Sequence, residues 1–451
     1  MTGRLLLAAA ASLLAGCGSH YTVNAPLEGA ADPAHGYRYA NVRAGENTDS
    51  LMIVVNFSGG GMRAAALAYG VLERLAAERI RWNGRDARLL DEVDIITAVS
   101  GGSMTAAFYA LHGDGIFTQF EERFLRRNLQ DRLEDRIIAF SAIPRLLSDR
   151  YGRVDMLQEL LDEVLFEGRT YAEISSQRRK PFVVVTATDM SLGARFEFTQ
   201  DTFDLLCSDL DKLPIARAVA ASSALPVVLS PVTLWNYAGR CGYTMRAFPE
   251  ARGETGQRQE QRLREIESYL DRDRRPYIHL LDGGLADNLG VRGVIEVAAL
   301  YGGLSNALRL GRLGGLGRLG PVRKLVFLSV NAETDSDRSV DASPNTPTWS
   351  QVARALADIP INRYSFETQL FGDQRLQAWY RSLKQEAGNE LEVYRINVSL
   401  AGVEEEKKRA FFMSVPTTLQ LPRETVDGIR RAASELLDAS PDFRRLLDSL
   451  R

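Results

Sequence analysis

Histidine is scarce in this chain, with four in 451 residues, at positions 20, 35, 112 and 279. A histidine-based catalytic site therefore has few candidates. Cysteine is scarcer, with three. No C-x-x-C, H-E-x-x-H or G-x-x-x-x-G-K-[ST] pattern occurs. Structural zinc, zinc-protease and P-loop nucleotide chemistry therefore lack their usual signatures. Charge of one sign is also lacking: the net charge is −3 and the pI is near 6.0. That leaves no basic footprint for nucleic acid. Beyond the first residues, no stretch supplies the roughly 20 apolar residues that a spanning helix requires. No internal period points to a solenoid. What remains is ordinary globular composition, 45% hydrophobic and 25% charged, with length for a large core.

The N-terminus is distinct. Arg4 precedes the apolar run Leu5–Leu14, too short to span, and the run ends in Leu14-Ala15-Gly16-Cys17. A charged start, an apolar segment and small residues describe a secretory signal peptide. Small residues before a cysteine resemble a bacterial lipobox. That resemblance implies cleavage before Cys17, acylation of its sulfur, and anchoring in the cell envelope. Gly18, in place of Asp, implies the outer membrane facing the periplasm. Residues 18–48 lack periodicity and read as a flexible tether. Cys207 and Cys241 either pair in an oxidising compartment or stay buried as free thiols.

From residue 51 an α/β rhythm begins. Continuous apolar runs predict buried strands at 51–57, 93–99, 180–190 and 322–332, with further strands at 194–200 and 277–284. Helical spacing marks 62–80, 101–113, 154–166, 215–226 and 285–302. The stripe Phe120, Phe124, Leu129, Leu133, Ile137, Phe140 is either packed core or a lid that meets lipid. Residues 252–276 read as a solvated helix and 305–322 as a Gly/Arg/Leu-rich surface loop. Beyond residue 333 the chain is mostly helical, with one strand at 391–400. It forms either a subdomain or a cover over one end of the sheet.

Three loops carry the chemistry. Each follows an apolar strand, so a site beyond strand carboxyl ends places all three on one edge. The first is Ser58-Gly59-Gly60-Gly61-Met62-Arg63. Bare glycine backbone serves either as an oxyanion hole of N–H donors or as a phosphate cradle. Arg63 holds the loop or adds positive field. The second is Val99-Ser100-Gly101-Gly102. A serine on a sharp strand-to-helix turn projects its hydroxyl as a nucleophile, or simply caps the helix. The third is Asp282-Gly283-Gly284, whose carboxylate suits a base. The histidines do not: His20 and His35 lie in the tether, His112 ends a helix, and alternation turns His279 away from Asp282.

G-G-G-x-R, then S-G-G, then D-G-G-x-x-D-N, in that order, resemble the patatin-like phospholipase family. The segments 218–226 and 183–198 are similar to further family blocks. The resemblance spans roughly residues 50–335. It implies a three-layer α/β/α sandwich with a mostly parallel sheet, to which the residues beyond 335 add a mostly helical C-terminal region. It also implies Ser100 as nucleophile, Asp282 as base without histidine, and Gly59, Gly60 and Gly61 as oxyanion hole. Arg63, Gly102, Gly283 and Gly284 support them, and Asp287 and Asn288 brace the loop or cap the next helix. Ala98 and Ala64 stand where the family commonly has glycine.

The expected division is a signal peptide at 1–16, a lipidated N-terminus and tether at 17–48, a catalytic domain at 49–335, and a C-terminal region at 336–451. The expected function is a serine acyl hydrolase on membrane lipid esters, of phospholipase A or lysophospholipase type, needing no cofactor or metal. The competing reading is a catalytically silent lipoprotein that binds lipid or a partner. Trp235, Tyr237, Tyr243 and the segment Phe411-Phe412-Met413 either line an acyl pocket or fill core.

Overall fold

In the computed structural model of the chain, residues 22–43, 47–48, 50, 51–139, 142–303, 306–307, 322–335, 339–387 and 391–450 are described. Cys17 and most of the Gly/Arg/Leu-rich loop lie outside them. The described residues include ten strands: β1 Leu51–Phe57, β2 Arg79–Trp82, β3 Arg85–Arg88, β4 Val93–Val99, β5 Phe182–Asp189, β6 Arg195–Glu197, β7 Val232–Trp235, β8 Tyr277–Leu281, β9 Lys324–Asn331 and β10 Glu392–Ser399. Seven helices matter for the site: α1 Gly61–Ala77, α2 Gly101–His112, α3 Ile215–Ser222, α4 Gly284–Asp287, α5 Arg292–Leu300, α6 Trp349–Ala387 and α7 Arg423–Ala439.

Eight strands form one sheet in the order β10-β9-β1-β4-β5-β8-β7, with β6 on β5. The run from β10 to β5 is parallel, while β6, β7 and β8 pair antiparallel. Every residue of β1, β4 and β5 is buried, as continuous apolar strands require when helices cover both faces. Alternation turns Phe57 toward Gly102 of α2. Its neighbour Asn56, with Phe327, Ser329 and Asn397, faces α5 and α6. β1 to β4 and β4 to β5 step the same way, so their right-handed crossovers α1 and α2 share a face. The three-layer α/β/α arrangement follows.

α7 lies across α1 on that face. Gly70 permits the contact, because a Cβ there would sit 2.7 Å from the carbonyl oxygen of Arg430. Arg430 then pairs with Glu73 at 2.7 Å and Glu121 at 2.8 Å. β10 pairs with β9 along its whole length. The C-terminal region thus supplies an edge strand and a covering helix to the shared core.

Several expectations are corrected. The first helix ends at Ala77, short of residue 80, because Asn83-Gly84, both at positive φ, turns a β2–β3 hairpin. The helix expected at 285–302 is split into α4 and α5, with Gly290 at φ +71° between them. The flexible tether is, over residues 22–43, a strap bound to the domain. Tyr37 stacks on Phe182 at 4.6 Å, Arg38 pairs with Asp204 at 2.6 Å, and Asn24 donates to Ser208 at 2.8 Å. Polar composition hid these buried anchors.

Cys207 and Cys241 are joined as a disulfide with Cα atoms 5.4 Å apart. Strap residues Leu27 and Ala31 donate to the two cysteine carbonyls. Tyr237 and Trp235 pack around the bridge as a small core. Phe120, Phe124, Leu129 and Leu133 are buried, so those residues of the stripe are core. Phe412 is core too, while Phe411 is exposed.

Candidate active site

Ser100 leaves β4 with φ +48° and ψ −120°. A non-glycine residue rarely adopts this region, and the strain is held only by its surroundings. Those surroundings are tight: a Cβ on Gly101 would lie 2.0 Å from the Gly61 oxygen, and one on Gly102 2.6 Å from the Ser58 oxygen. The sharp turn is therefore wedged against the glycine loop. Ser100 occupies the N-cap position of α2 without a side-chain capping bond. Its hydroxyl donates instead to Asp282 Oδ2 at 2.9 Å.

Asp282 reaches Ser100 by a route the sequence did not indicate. β8 runs antiparallel to β5 and overlaps it by only two pairs, Thr188 with Leu281 and Asp189 with Leu280. The chain thus descends from beyond the β5 carboxyl end and delivers Asp282 to the site. The three loops meet as expected, although β8 brings its own in antiparallel to β5. Asp282 is tied on every side. Its N–H donates to Ala224 O at 2.9 Å, and Thr188 Oγ1 donates to its carbonyl at 2.7 Å. Oδ1 accepts the Gly284 N–H at 2.8 Å.

Burial pushes the Asp282 carboxyl up to about 6, against the lowering effect of the Gly284 N–H and the Ser100 hydroxyl. Such a group changes charge close to neutral pH, which suits proton transfer. The described histidines are occupied elsewhere. His279 bonds Thr233 at 2.9 Å, His112 stacks on Phe108, and His35 faces Asp209 at 3.5 Å.

The glycine loop abuts the serine, since a Cβ on Gly59 would lie 3.3 Å from Ser100 Cβ. Its three N–H groups are not equivalent. Gly59 N–H donates to the Asn288 carbonyl at 3.1 Å, whereas those of Gly60 and Gly61 donate to no acceptor among the described residues. Of the three expected donors, Gly59 is thereby corrected to a structural role. Gly60 and Gly61 stand at φ +134° and +58°, a backbone form that favours glycine. Gly283 and Gly284 answer the same crowding: a Cβ would lie 2.4 Å from Thr186 O and 3.0 Å from Asn288 Oδ1 respectively.

Arg63 is buried and donates from Nε to Ala332 O at 2.9 Å, from Nη1 to Val415 O, and from Nη2 to Thr417 Oγ1 at 3.3 Å. It holds the loop to the end of β9 and to residues 415–417. Met62 N–H adds a bond to Thr418 O at 2.8 Å. Asp287 accepts the Arg292 N–H at 2.8 Å, and burial pushes its carboxyl up to about 6 against the charge of Arg195. Asp287 and Asn288 therefore brace the loop.

Two contributors escaped the sequence reading. Ser222 Oγ accepts the Ser100 N–H at 2.7 Å and donates to Thr186 O at 2.7 Å. The family-like block at 218–226 pointed to its neighbourhood but not to this bond. Residues 415–418 gave no signal, being over 350 positions from Arg63. His35, Asp209 and Asp211 could together offer metal ligands within 4.8 Å of one another, but Asp209 already faces Lys212 and the group lies where the strap meets the domain.

A family model described as "Patatin-like phospholipase" matches residues 55–295. No curated protein matches significantly. Among solved structures, human GIVD cytosolic phospholipase A2 aligns at 12% identity and TM-score 0.43, over 89% of this chain and 62% of its own. VipD from Legionella pneumophila aligns at 13% identity and TM-score 0.31, over 97% of this chain and 73% of its own. The chain therefore spans less than two thirds of the human enzyme.

Proposed function

Because this chain belongs to the patatin-like phospholipase family, with over half of its length matched, we propose that it is a serine acyl hydrolase of lipid esters. The observation that carries the proposal is the 2.9 Å bond between the strained Ser100 and Asp282. Ser100 Oγ attacks the acyl carbonyl carbon while its proton passes to Asp282. The carbonyl π pair moves to oxygen, and the oxyanion takes the N–H groups of Gly60 and Gly61. Collapse expels the alcohol portion of the lipid, which takes the proton back from Asp282. Water then attacks the acyl-serine, gives its proton to Asp282, and frees the fatty acid as Ser100 regains a proton. Preorganised donors of this kind are commonly the largest catalytic contribution. The substrate class within this scheme is phospholipid or lysophospholipid.

The test is labelling by a fluorophosphonate, which requires an activated serine. The wild-type chain labels and hydrolyses ester, and Ser100→Ala does neither while keeping its fold. Failure of the folded wild-type chain to label on Ser100 supports the silent-lipoprotein reading instead.

We also propose that Cys17 is acylated and that the protein is anchored to the envelope, at the outer membrane facing the periplasm. Among the described residues no helix is long and apolar enough to cross a membrane. The Cys207–Cys241 disulfide supports an oxidising compartment. Intact-mass analysis of the protein purified from membranes tests this. An unmodified Cys17 refutes it.

A further inference from the structure

The middle of helix α6 meets the protein through small and polar side chains: Ser365, Thr368 and Gly372 are buried against it. Ser365 accepts from Asn288 Nδ2 at 3.2 Å, and Thr368 accepts from Arg292 Nε at 3.0 Å. At about 100° per residue, Val352, Leu356, Ile359, Phe366 and Leu370 fall on the side diametrically opposite. All five are exposed, Leu356 at 66%, Ile359 at 60% and Phe366 at 62%. Trp349, 77% exposed, extends the stripe at its first turn. From Trp349 to Ile359 every described position is exposed. An apolar stripe of this length implies a covering phase.

The position of the stripe says which phase. α6 is docked through Asn288, the residue whose carbonyl holds the glycine loop. Other exposed apolar side chains sit on loops that lead from residues holding Asp282. Met190 and Leu192 follow Thr188, which bonds the Asp282 carbonyl. Val227 and Val228 follow Ala224, which takes the Asp282 N–H. A coiled-coil partner does not explain these separate loops. The stripe also carries Arg363 between Ile359 and Phe366, exposed like its neighbours. At a lipid surface its guanidinium reaches headgroup phosphate while its stem lies along the acyl boundary.

We propose that the outward face of α6, from Trp349 to Leu370, lies in the interfacial layer of an anionic phospholipid bilayer and sets the catalytic edge against it. The proposal rests on the lipid-hydrolase reading for its choice of occupant. The stripe is roughly 30 Å long at 1.5 Å per residue, and interfacial helices sink about 5–10 Å.

The experiment uses the full chain and vesicles of phosphatidylcholine and phosphatidylglycerol with brominated acyl chains. Bromine quenches the wild-type tryptophan emission, and the quenched component disappears in Trp349→Phe. Leu356→Asp with Ile359→Asp lowers vesicle hydrolysis by about tenfold or more, from the loss of two buried aliphatic groups. Hydrolysis of a water-soluble short-chain ester stays within about twofold, because neither residue touches the site. Equal vesicle hydrolysis by variant and wild type, or no Trp349 quenching, overturns the proposal. So does a concentration-dependent dimer that the double variant abolishes, since a second copy would then cover the face. Quenching by a wild-type chain that cleaves neither substrate leaves the docking intact and refutes the hydrolase reading. Vesicle cleavage unaffected by the variant does the reverse.

Discussion

Replacing Asp282 by Asn should abolish turnover and, at neutral pH, make the protein more stable. The carboxyl is buried and its folded-state value stands at about 6, against 3.8 for a free side chain. The folded state therefore holds this proton more tightly than the unfolded chain. Between about pH 4 and 6 the folded state binds the extra proton, so stability falls as pH rises through that window. Above it the ionised, desolvated carboxylate costs about 3 kcal/mol, from roughly two units at 1.36 kcal/mol each. Asparagine removes that cost. Its oxygen still accepts the Gly284 N–H, and its amide can donate to Ser100, which sits 2.9 Å away. It cannot accept the serine proton, so hydrolysis should fall by several orders of magnitude. The assay is denaturant unfolding of both proteins at pH 7.5 and pH 4.5, with ester turnover on the same samples. The variant's midpoint should exceed wild type at pH 7.5, and the gap should close toward pH 4.5. The wild-type rate should fall below about pH 6 as Asp282 takes up its proton. A variant that is less stable at neutral pH refutes the desolvation cost, and one that retains turnover within about tenfold refutes the base assignment.

Gly60→Ala should lower kcat by roughly 10²–10³ with little change in KM, because a side chain at φ +134°, 3.3 Å from Ala332 O, shifts the backbone and turns its N–H away from the oxyanion; an unchanged kcat in a folded variant argues against that donor. Gly70→Val should lower stability by about 1–3 kcal/mol, since its side chain would meet Arg430 O, which lies 2.7 Å from even a Cβ; an unshifted unfolding midpoint would contradict the α1–α7 contact. Cys207→Ser with Cys241→Ser should cost on the order of 3–4 kcal/mol for a bridge spanning 34 residues. It should also expose the strap to proteolysis, whereas unchanged cleavage would separate the strap from the bridge.

The parallel strands were legible because strands covered on both faces are largely apolar, and β1, β4 and β5 are buried at every position. Ser100-Gly-Gly and Asp282-Gly-Gly were legible because a strained turn admits few residue types. The β2–β3 hairpin was missed although Asn83-Gly84 marks it; the helical stripe before it was read too far. The strap was missed because Tyr37 and Arg38 are isolated anchors in a polar stretch, without a period to find.

By itself, the sequence determined which segments are buried strands and where the backbone must be bare, since both depend on local chemistry repeated or concentrated along the chain. Only the tertiary structure decided the rest. It ran β8 against β5, so that Asp282 arrives from the opposite direction. It gave Asn288 the N–H of Gly59 and left those of Gly60 and Gly61 without an acceptor among the described residues. It turned the polar side of α6 inward and its apolar side out. Strand direction, donor availability and the exposed side of a helix are each set by partners far away in the chain, and no local pattern encodes a partner.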